Sequence, residues 1–494
     1  MRLPALAIVF ISVALADVPN FRKDVMPVLT KAGCNQGACH GALSGKNGFK
    51  LTLRGYDPEV DYDILTRQSV GRRISLAEPA QSLSLLKATM GVGHGGGRRF
   101  KTDSLEYKII YDWIAGGTPP PSAKDVDVVS LEVTPKQATL KPGAEQQLAV
   151  RAKYTDGTTA DVTRWVKYNS SLEAVATVDD NGKVKMIGNG EAAITLWFSS
   201  RVLYATVTAP FSNTISAATW SKFPKRNFID ELVLASLKSI NIAPSGEVGD
   251  AEFLRRAWLD AAGVLPRPEE VESFLADKDP ARREKLIERI LASSEFVDYW
   301  TYKWSDLLLV SSRKLRPVST RAFYEWIHDS VKENKPWDRF AREIFTSTGS
   351  TRENGALNYF ILHKDPIDLT ENVTQAFLGQ RLTCARCHNH PLEKWTQKQY
   401  YQMANLFSRV GIKDGASADE QIVYARTSGD INHPRLLKPL APTPLDGDSM
   451  ALDGAGDRRA HFARWLTDPK NTMFSRSIVN RVWGNFLGHG IVDP

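Results

Sequence analysis

Four cysteines in 494 residues constrain this chain more than any other feature. They come in two close pairs, and a histidine directly follows each pair. Cys34 and Cys39 precede His40 in GCNQGACHGA; Cys384 and Cys387 precede His388 in LTCARCHNHP. Every cysteine therefore belongs to a thiol–thiol–imidazole cluster. So low a cysteine density excludes a small fold stapled by many disulfides. The length suggests about three domains. Hydrophobic residues at 42% and charged residues at 24% are ordinary for a globular protein, which excludes disorder and fibrous repeats. The formal charge of +7 comes without a basic block or a basic–aromatic stripe. No nucleic-acid partner is expected from it, and it is too small to name an acidic one.

Residues 1–16 read as a signal peptide. Arg2 supplies the charged end, residues 5–15 an apolar run broken only by Ser12, and Ala14-Leu15-Ala16 a small-x-small cleavage site. No later stretch reaches about 18 apolar residues. The expectation is an exported protein, periplasmic or at the cell surface, with no transmembrane span after signal removal.

The rest divides by periodicity. Residues 17–121 predict an all-α module: PNFRKDVMPVLTKAG, YDPEVDYDILTRQ and DSLEYKIIYDWIAGG have the helical period, and Gly116-Gly117 stop the last of them. Residues 126–209 alternate in period two between Asp156-Gly157, Asn181-Gly182 and Gly188-Asn189-Gly190, which predicts a small all-β antiparallel sandwich. Residues 223–411 return to the helical period, with Trp300 and Trp304 on one helix face. Residues 412–456 read as a Gly/Pro/Asp-rich linker or loop. Residues 457–494 read as the helical opening of a further, longer domain.

Cys384-Ala-Arg-Cys387-His388 is the c-type haem attachment pattern. Thiols at i and i+3 share one side of a helical turn and can add to the two haem vinyl groups, while the adjacent imidazole meets the iron. The same residues also read as a disulfide or dithiol pair, or, with His390, as a compact zinc site. Met403 reads as core rather than as an iron ligand. Cys34 and Cys39 have four residues between them, about 500° of helix from one thiol to the other, so the intervening loop must bulge, helped by Gly37. Their order in the chain is that of a small cytochrome c: attachment site, a Gly-rich loop with Met90 and His94 as candidate distal ligands, then a closing helix. A short disulfide and a loop histidine are the plain alternatives. His328, His363, His433, His461 and His489 are scattered and read as satisfied or solvated.

At this point the sequence resembles the large secreted planctomycete-type proteins. These combine a cytochrome c-like module, a bacterial Ig-like domain of group 2 and two successive domains of unknown function. The resemblance rests on VMPVLTKAGCNQGACHGALSGKNGFKLTLRGYDPEVDY and HGGGRRF, on YTDGTTADVT and VATVDDNGKV, on FLRRAWLDAAGVLPRPEEV and LTCARCHNHPLEKWT, and on SRSIVNRVWGNFLGHGIVDP. It implies haem c, one or two groups, with Cys34 and Cys39 as thioether positions and His40 as proximal ligand. Cys384, Cys387 and His388 match the usual two-residue spacer. The leading expectation is an exported electron carrier with an unknown redox partner protein. In this reading the sandwich serves as a spacer or a contact to cell surface or polysaccharide. The alternatives are a secreted zinc-dependent hydrolase or polysaccharide-acting protein, and a non-catalytic surface protein with two short disulfides. Whether the chain is an enzyme is left open.

Overall fold

The computed structural model describes residues 18–42, 44–122, 124–199, 201–390, 393–417, 419–454 and 456–492. The signal peptide expected at 1–16 lies outside the described residues. The chain divides into two compact units at Pro244/Ser245, and Glu393 and Lys394 group with the first.

The first unit opens with a helix whose first turn, Phe21–Val25, is wide and continues as α1, Met26–Lys31. Asn20 caps it by accepting from the Lys23 N–H at 2.9 Å, and Gly33, at φ +79°, turns the chain out of it. Helices α2 (Pro58–Thr66), α3 (Leu83–Thr89) and α4 (Leu105–Ala115) follow. The first and last helices bury their apolar stripes against each other. Phe21 lies 5.2 Å from Trp113 and 5.4 Å from Tyr62, ring to ring. Val28 and Ile114 are fully buried beside them. Among the described residues of 17–121 the regular elements are helices, beside an isolated antiparallel bridge between Lys46 and Phe49.

The β region holds β1 (Val128–Thr134), β2 (Gln137–Thr139), β3 (Glu145–Gln147), β4 (Ala149–Tyr154), β5 (Thr159–Asp161), β6 (Lys167–Ser170), β7 (Ala176–Val178), β8 (Lys183–Met186), β9 (Gly190–Phe198) and β10 (Arg201–Ala209). They form sheets ordered β1-β4-β5, β2-β10-β9-β6 and β3-β8-β7. Alternate residues such as Val150, Ala152, Val184, Ile194, Leu196 and Val207 fill the space between them. Gly157 and Gly182 take the positive φ their turns require. This domain is docked on the helical module. Arg164 grips Glu106 with three hydrogen bonds of 2.9–3.2 Å. Lys31 Nζ donates to the Val166 carbonyl at 2.6 Å, and Trp165 packs into the module's core. Two further helices, α5 (Ala217–Lys222) and α6 (Phe228–Ser239), complete the unit.

The second unit is mainly helical: α7 (Asp250–Ala262), α8 (Pro268–Ala276), α9 (Arg282–Leu291), α10 (Ser294–Leu307), α11 (Pro317–Lys332), α12 (Trp337–Thr346), α13 (Asn358–Leu362), α14 (Pro366–Leu378), α15 (Gln397–Ala404), α16 (Arg458–Leu466) and α17 (Thr472–Leu487). Phe345, Tyr359, Phe377, Phe407 and Phe462 form its aromatic centre. Trp300 and Trp304 lie 5.3 Å apart on α10, as their spacing predicts.

The stretch expected as a loop at 412–456 is not one throughout. A three-stranded sheet orders β11 (Gly349–Ser350), β13 (Gln421–Ala425) and β12 (Val410–Asp414). The irregular chain beyond it is tied down by buried polar groups rather than by an apolar period. Asn405 Nδ2 donates to the carbonyls of Ile431 and Leu440 at 3.0 Å each. Arg458, 2% exposed, reaches Asp430 at 2.8 Å and the Leu452 carbonyl at 2.7 Å.

Candidate functional site

After Gly33 the chain folds into a tight knot that carries the first cysteine pair. The Cys34 N–H donates to the Leu29 carbonyl at 2.9 Å, so the loop hangs from the last turn of α1. It closes on itself through His40 N–H to Cys34 O at 3.0 Å and Gly41 N–H to Gln36 O at 3.0 Å. Gly41 makes the closure feasible: a Cβ there would lie 2.1 Å from the Asn35 carbonyl oxygen. Gly37, the glycine expected to permit the bulge, would place a Cβ no closer than 3.8 Å to another side chain. Asn35 is fully buried and donates to Thr30 Oγ1 at 2.8 Å.

His40 and His94 meet over this knot. Their rings are 6.2 Å apart between centroids and within 6° of parallel. His40 Nδ1 bonds the Phe49 carbonyl at 3.0 Å, and His94 Nδ1 bonds the Gly97 carbonyl at 2.9 Å. A carbonyl only accepts, so both Nδ1 atoms carry the proton and both Nε2 atoms keep a lone pair, the tautomer that metal-binding histidines adopt. Burial holds the His40 pKa below its ordinary value. The Phe49 carbonyl opposes this, while neighbouring His94, Arg73 and Arg99 reinforce it. Of the two distal candidates, His94 is the one aligned with His40. Met90 caps α3 in the left-handed region with its side chain 46% exposed.

The thiols are asymmetric. Burial pushes Cys34 up to about 11 against the opposing pull of Arg99. Arg99 Nη2 donates to Cys39 Sγ at 3.3 Å. Arg73, 8% exposed, donates to the Ile64 carbonyl at 2.9 Å and lies over Phe49 at 4.7 Å. Neither arginine is a candidate by sequence reasoning, although HGGGRRF carries one of them; a charged pair after glycines has no periodic signal.

The second cluster sits on one turn of 3₁₀ helix, Thr383–Arg386, with Cys387 as its cap. With three residues per turn, Cys384 and Cys387 are eclipsed, so both thiols leave the same side. Both residues are exposed. His388 Nδ1 bonds the Asn389 carbonyl at 2.7 Å. The turn is held from α15: Gln397 Nε2 and the Tyr401 hydroxyl both donate to the Arg386 carbonyl, at 3.0 and 3.4 Å. His390 is buried and its main-chain N–H donates to the Trp395 carbonyl at 2.7 Å. Met403 is core, as expected.

No disulfide joins any two of the four cysteines in this structure. Among the described residues no three His, Cys, Asp or Glu side chains are gathered so as to hold a metal ion, and the zinc set Cys384, Cys387, His388 and His390 is not assembled. Among the described residues no helix is long and apolar enough to cross a membrane. Of the scattered histidines, His363 is buried, bonds the Leu308 carbonyl at 3.4 Å and is lowered to about 4 by burial. His433 is buried too, its Nδ1 accepting from the N–H groups of Arg435 and Leu436 at 3.2 and 3.3 Å.

With this geometry in place, comparison assigns the regions. Residues 127–208 match the bacterial Ig-like domain, group 2. Residues 228–411 match the family PSCyt2, a protein of unknown function (DUF1549), and residues 458–494 match PSD1, a protein of unknown function (DUF1553). The chain carries three recognised domain types. Over 85 residues, 17% of the chain, it is 35% identical to ice-binding protein 1 of Shewanella frigidimarina (strain NCIMB 400). The chain spans 8% of the length of that curated relative. The PSCyt2 match holds the exposed cysteine pair. The knot with the imidazole pair lies outside all three family matches.

Proposed function

We propose that residues 17–121 form a cytochrome c-like module of an exported electron carrier, periplasmic or at the cell surface. The observation that carries this reading is the parallel imidazole pair beside two thiols. The Nδ1 bonds leave the Nε2 of each ring as the atom that would meet a metal. A haem bound here would be held by His40 and His94 as its imidazole donors, with Cys34 and Cys39 as its thioether positions. The haem supplies one-electron chemistry, and its potential follows from the ligands, burial and nearby charge. The chain's own part is to fix both imidazoles by their Nδ1 bonds and to hang the cysteine knot from the last turn of α1. The redox partner is a separate protein.

The eclipsed thiols of the Cys384–Cys387 turn support a second reading, a further haem in the PSCyt2 region with His388 as ligand.

The test is a pyridine haemochrome spectrum and intact mass of the full chain made with a c-type maturation system. The expected result is covalent haem with a low-spin spectrum that His40→Ala and His94→Ala abolish and Met90→Ala preserves. Colourless wild-type protein, under conditions where a control cytochrome matures, would overturn the proposal.

A further inference from the structure

A buried guanidinium that pairs with no carboxylate among the described residues ties together the supports of the two imidazoles. It belongs to Arg73, 8% exposed. Its bonds go to carbonyls instead. Nη1 donates to the Ile64 carbonyl, in the last turn of α2, at 2.9 Å, and to the Gln68 carbonyl just beyond that helix. Nη2 donates to the Gly48 carbonyl at 3.3 Å. The charge beside it is that of Arg72. A charge taken out of water in this way is costly unless its donors are satisfied. The guanidinium has a rigid fork of donors that can bridge two segments at once, which an ammonium lacks.

The Gly48 bond matters because of what the next residue holds. Lys46 and Phe49 close a tight turn by main-chain bonds in both directions, at 2.9 and 3.0 Å, with Asn47 and Gly48 both at positive φ. The Phe49 carbonyl takes the His40 Nδ1–H at 3.0 Å, and the Phe49 ring lies 4.4 Å from the His40 ring. The Leu51 N–H donates to the His40 carbonyl at 2.8 Å. Arg73 clamps this turn twice, through Gly48 and by lying over the Phe49 ring at 4.7 Å. Its main chain reaches the support of the other imidazole. The Arg73 carbonyl accepts the Ser84 N–H of α3 at 3.1 Å. Both ends of the loop that carries His94 hang from α3: the Val92 N–H donates to the Leu86 carbonyl at 3.3 Å, and the Arg99 N–H to the Ala88 carbonyl at 2.7 Å.

We propose that Arg73 is the strut that sets the His40–His94 pair: its side chain fixes the turn that orients His40, and its main chain fixes the helix from which the His94 loop hangs. It is a positioning residue, since it acts through Phe49 and α3. The inference rests on the reading of this pair as the ligand set of the module and deepens it. One residue that bridges both supports makes the mutual setting of the rings a property of the fold itself. A ligand pair arranged in advance gives up little freedom when it binds. The strut also holds the two ring planes within 6° of parallel.

NMR of the haem-free full chain with isotope-labelled histidine tests the strut without haem. The chain has nine histidines, and His40→Ala assigns the His40 signal. In the wild type the His40 Nδ1–H is expected to be protected from exchange with water. Arg73→Leu should make that exchange about tenfold faster, the loss of about one hydrogen bond. Arg73→Lys, which keeps the charge but not the fork, should fall between the two. Tyr62→Phe is the control. It removes the bond from the Tyr62 hydroxyl to the Thr118 carbonyl at 2.8 Å, and should lower the melting temperature without moving the His40 signal. In haem-loaded chain the wild type is expected to give the rhombic low-spin EPR signal of near-parallel imidazoles, and the Arg73 variants a shifted largest g value or a high-spin component. Unchanged exchange in both Arg73 variants overturns the proposal, as it does in Arg73→Lys alone where Arg73→Leu does not fold. So does an equal change in Tyr62→Phe, or an unprotected His40 in the wild type. A colourless wild type with faster exchange in the Arg73 variants removes the haem reading alone; a coloured wild type whose exchange and EPR signal neither variant moves removes this one alone.

Discussion

The two cysteine loops differ in opposite senses. The Cys384–Cys387 loop has the two-residue spacer that haem attachment favours, and its thiols are eclipsed on one turn, yet it is exposed. The Cys34–Cys39 loop has the longer spacer and needs a knot to close. It lies under a second imidazole, two arginines and a docked domain. Spacing decides what two thiols can reach together. Setting decides whether a second ligand, a counter-charge and shelter from water are present. The comparison teaches that the weaker pattern can have the more complete site.

The largest effect that could break this contrast is all-or-none. Cys34→Ser with Cys39→Ser should abolish covalent haem in the first module. Cys384→Ser with Cys387→Ser should leave the low-spin signal of the His40–His94 pair intact. Intact mass and haem staining after denaturing electrophoresis read the outcome. The reverse pattern would place the working site in the PSCyt2 region instead.

A graded version uses thiol reactivity in chain made without haem. Cysteine reacts as thiolate, and a thiol pushed to about 11 holds roughly one part in ten thousand as thiolate at pH 7. Iodoacetamide should therefore label the exposed Cys384 and Cys387 about 100-fold faster than Cys34, as read by peptide mass mapping. Raising the pH toward 11 should narrow the gap, because burial raised the pKa and base restores the thiolate. Equal rates at pH 7 would remove the difference in setting.

Much of this architecture is legible in the chain. The helices α1, α2 and α4 follow from period and caps, the sandwich from alternation and its Asp-Gly and Asn-Gly turns, and the face shared by Trp300 and Trp304 from i, i+4 spacing. The hairpin of β12 and β13 is hidden because glycine- and proline-rich sequence surrounds it. The chain beyond is held by Asn405 and Arg458, whose bonds have no period. At the site, the two histidines and two thiols are legible as candidates, but the choice of His94 over Met90 is not, since both lie in one loop. The docking of the second domain on the first is invisible for a deeper reason: Arg164–Glu106 and Lys31–Val166 join residues far apart in the chain that share no period.

The smallest effect concerns how the knot closes, and it separates the two loops by composition. The second loop, TCARCH, has no glycine, whereas the first has two that differ sharply. An added Cβ at Gly41 would lie 2.1 Å from Asn35 O and 2.9 Å from Gln36 O, both main-chain atoms that no side-chain rotation can clear. At Gly37 the nearest atom is Leu53 Cδ1 at 3.8 Å, an ordinary contact. Gly41→Ala should therefore cost about 1–3 kcal/mol, the range of overpacking a tight site. It should also shift His40, its direct neighbour, out of line with His94. Gly37→Ala should stay within about 0.5 kcal/mol. Calorimetry of the full chain gives the stability difference, and the low-spin signal of haem-loaded protein reports the imidazole alignment. If the two alanines behave alike, the knot is loose, and the imidazole pair owes its alignment to the Gly-rich loop carrying His94 rather than to the cysteine loop.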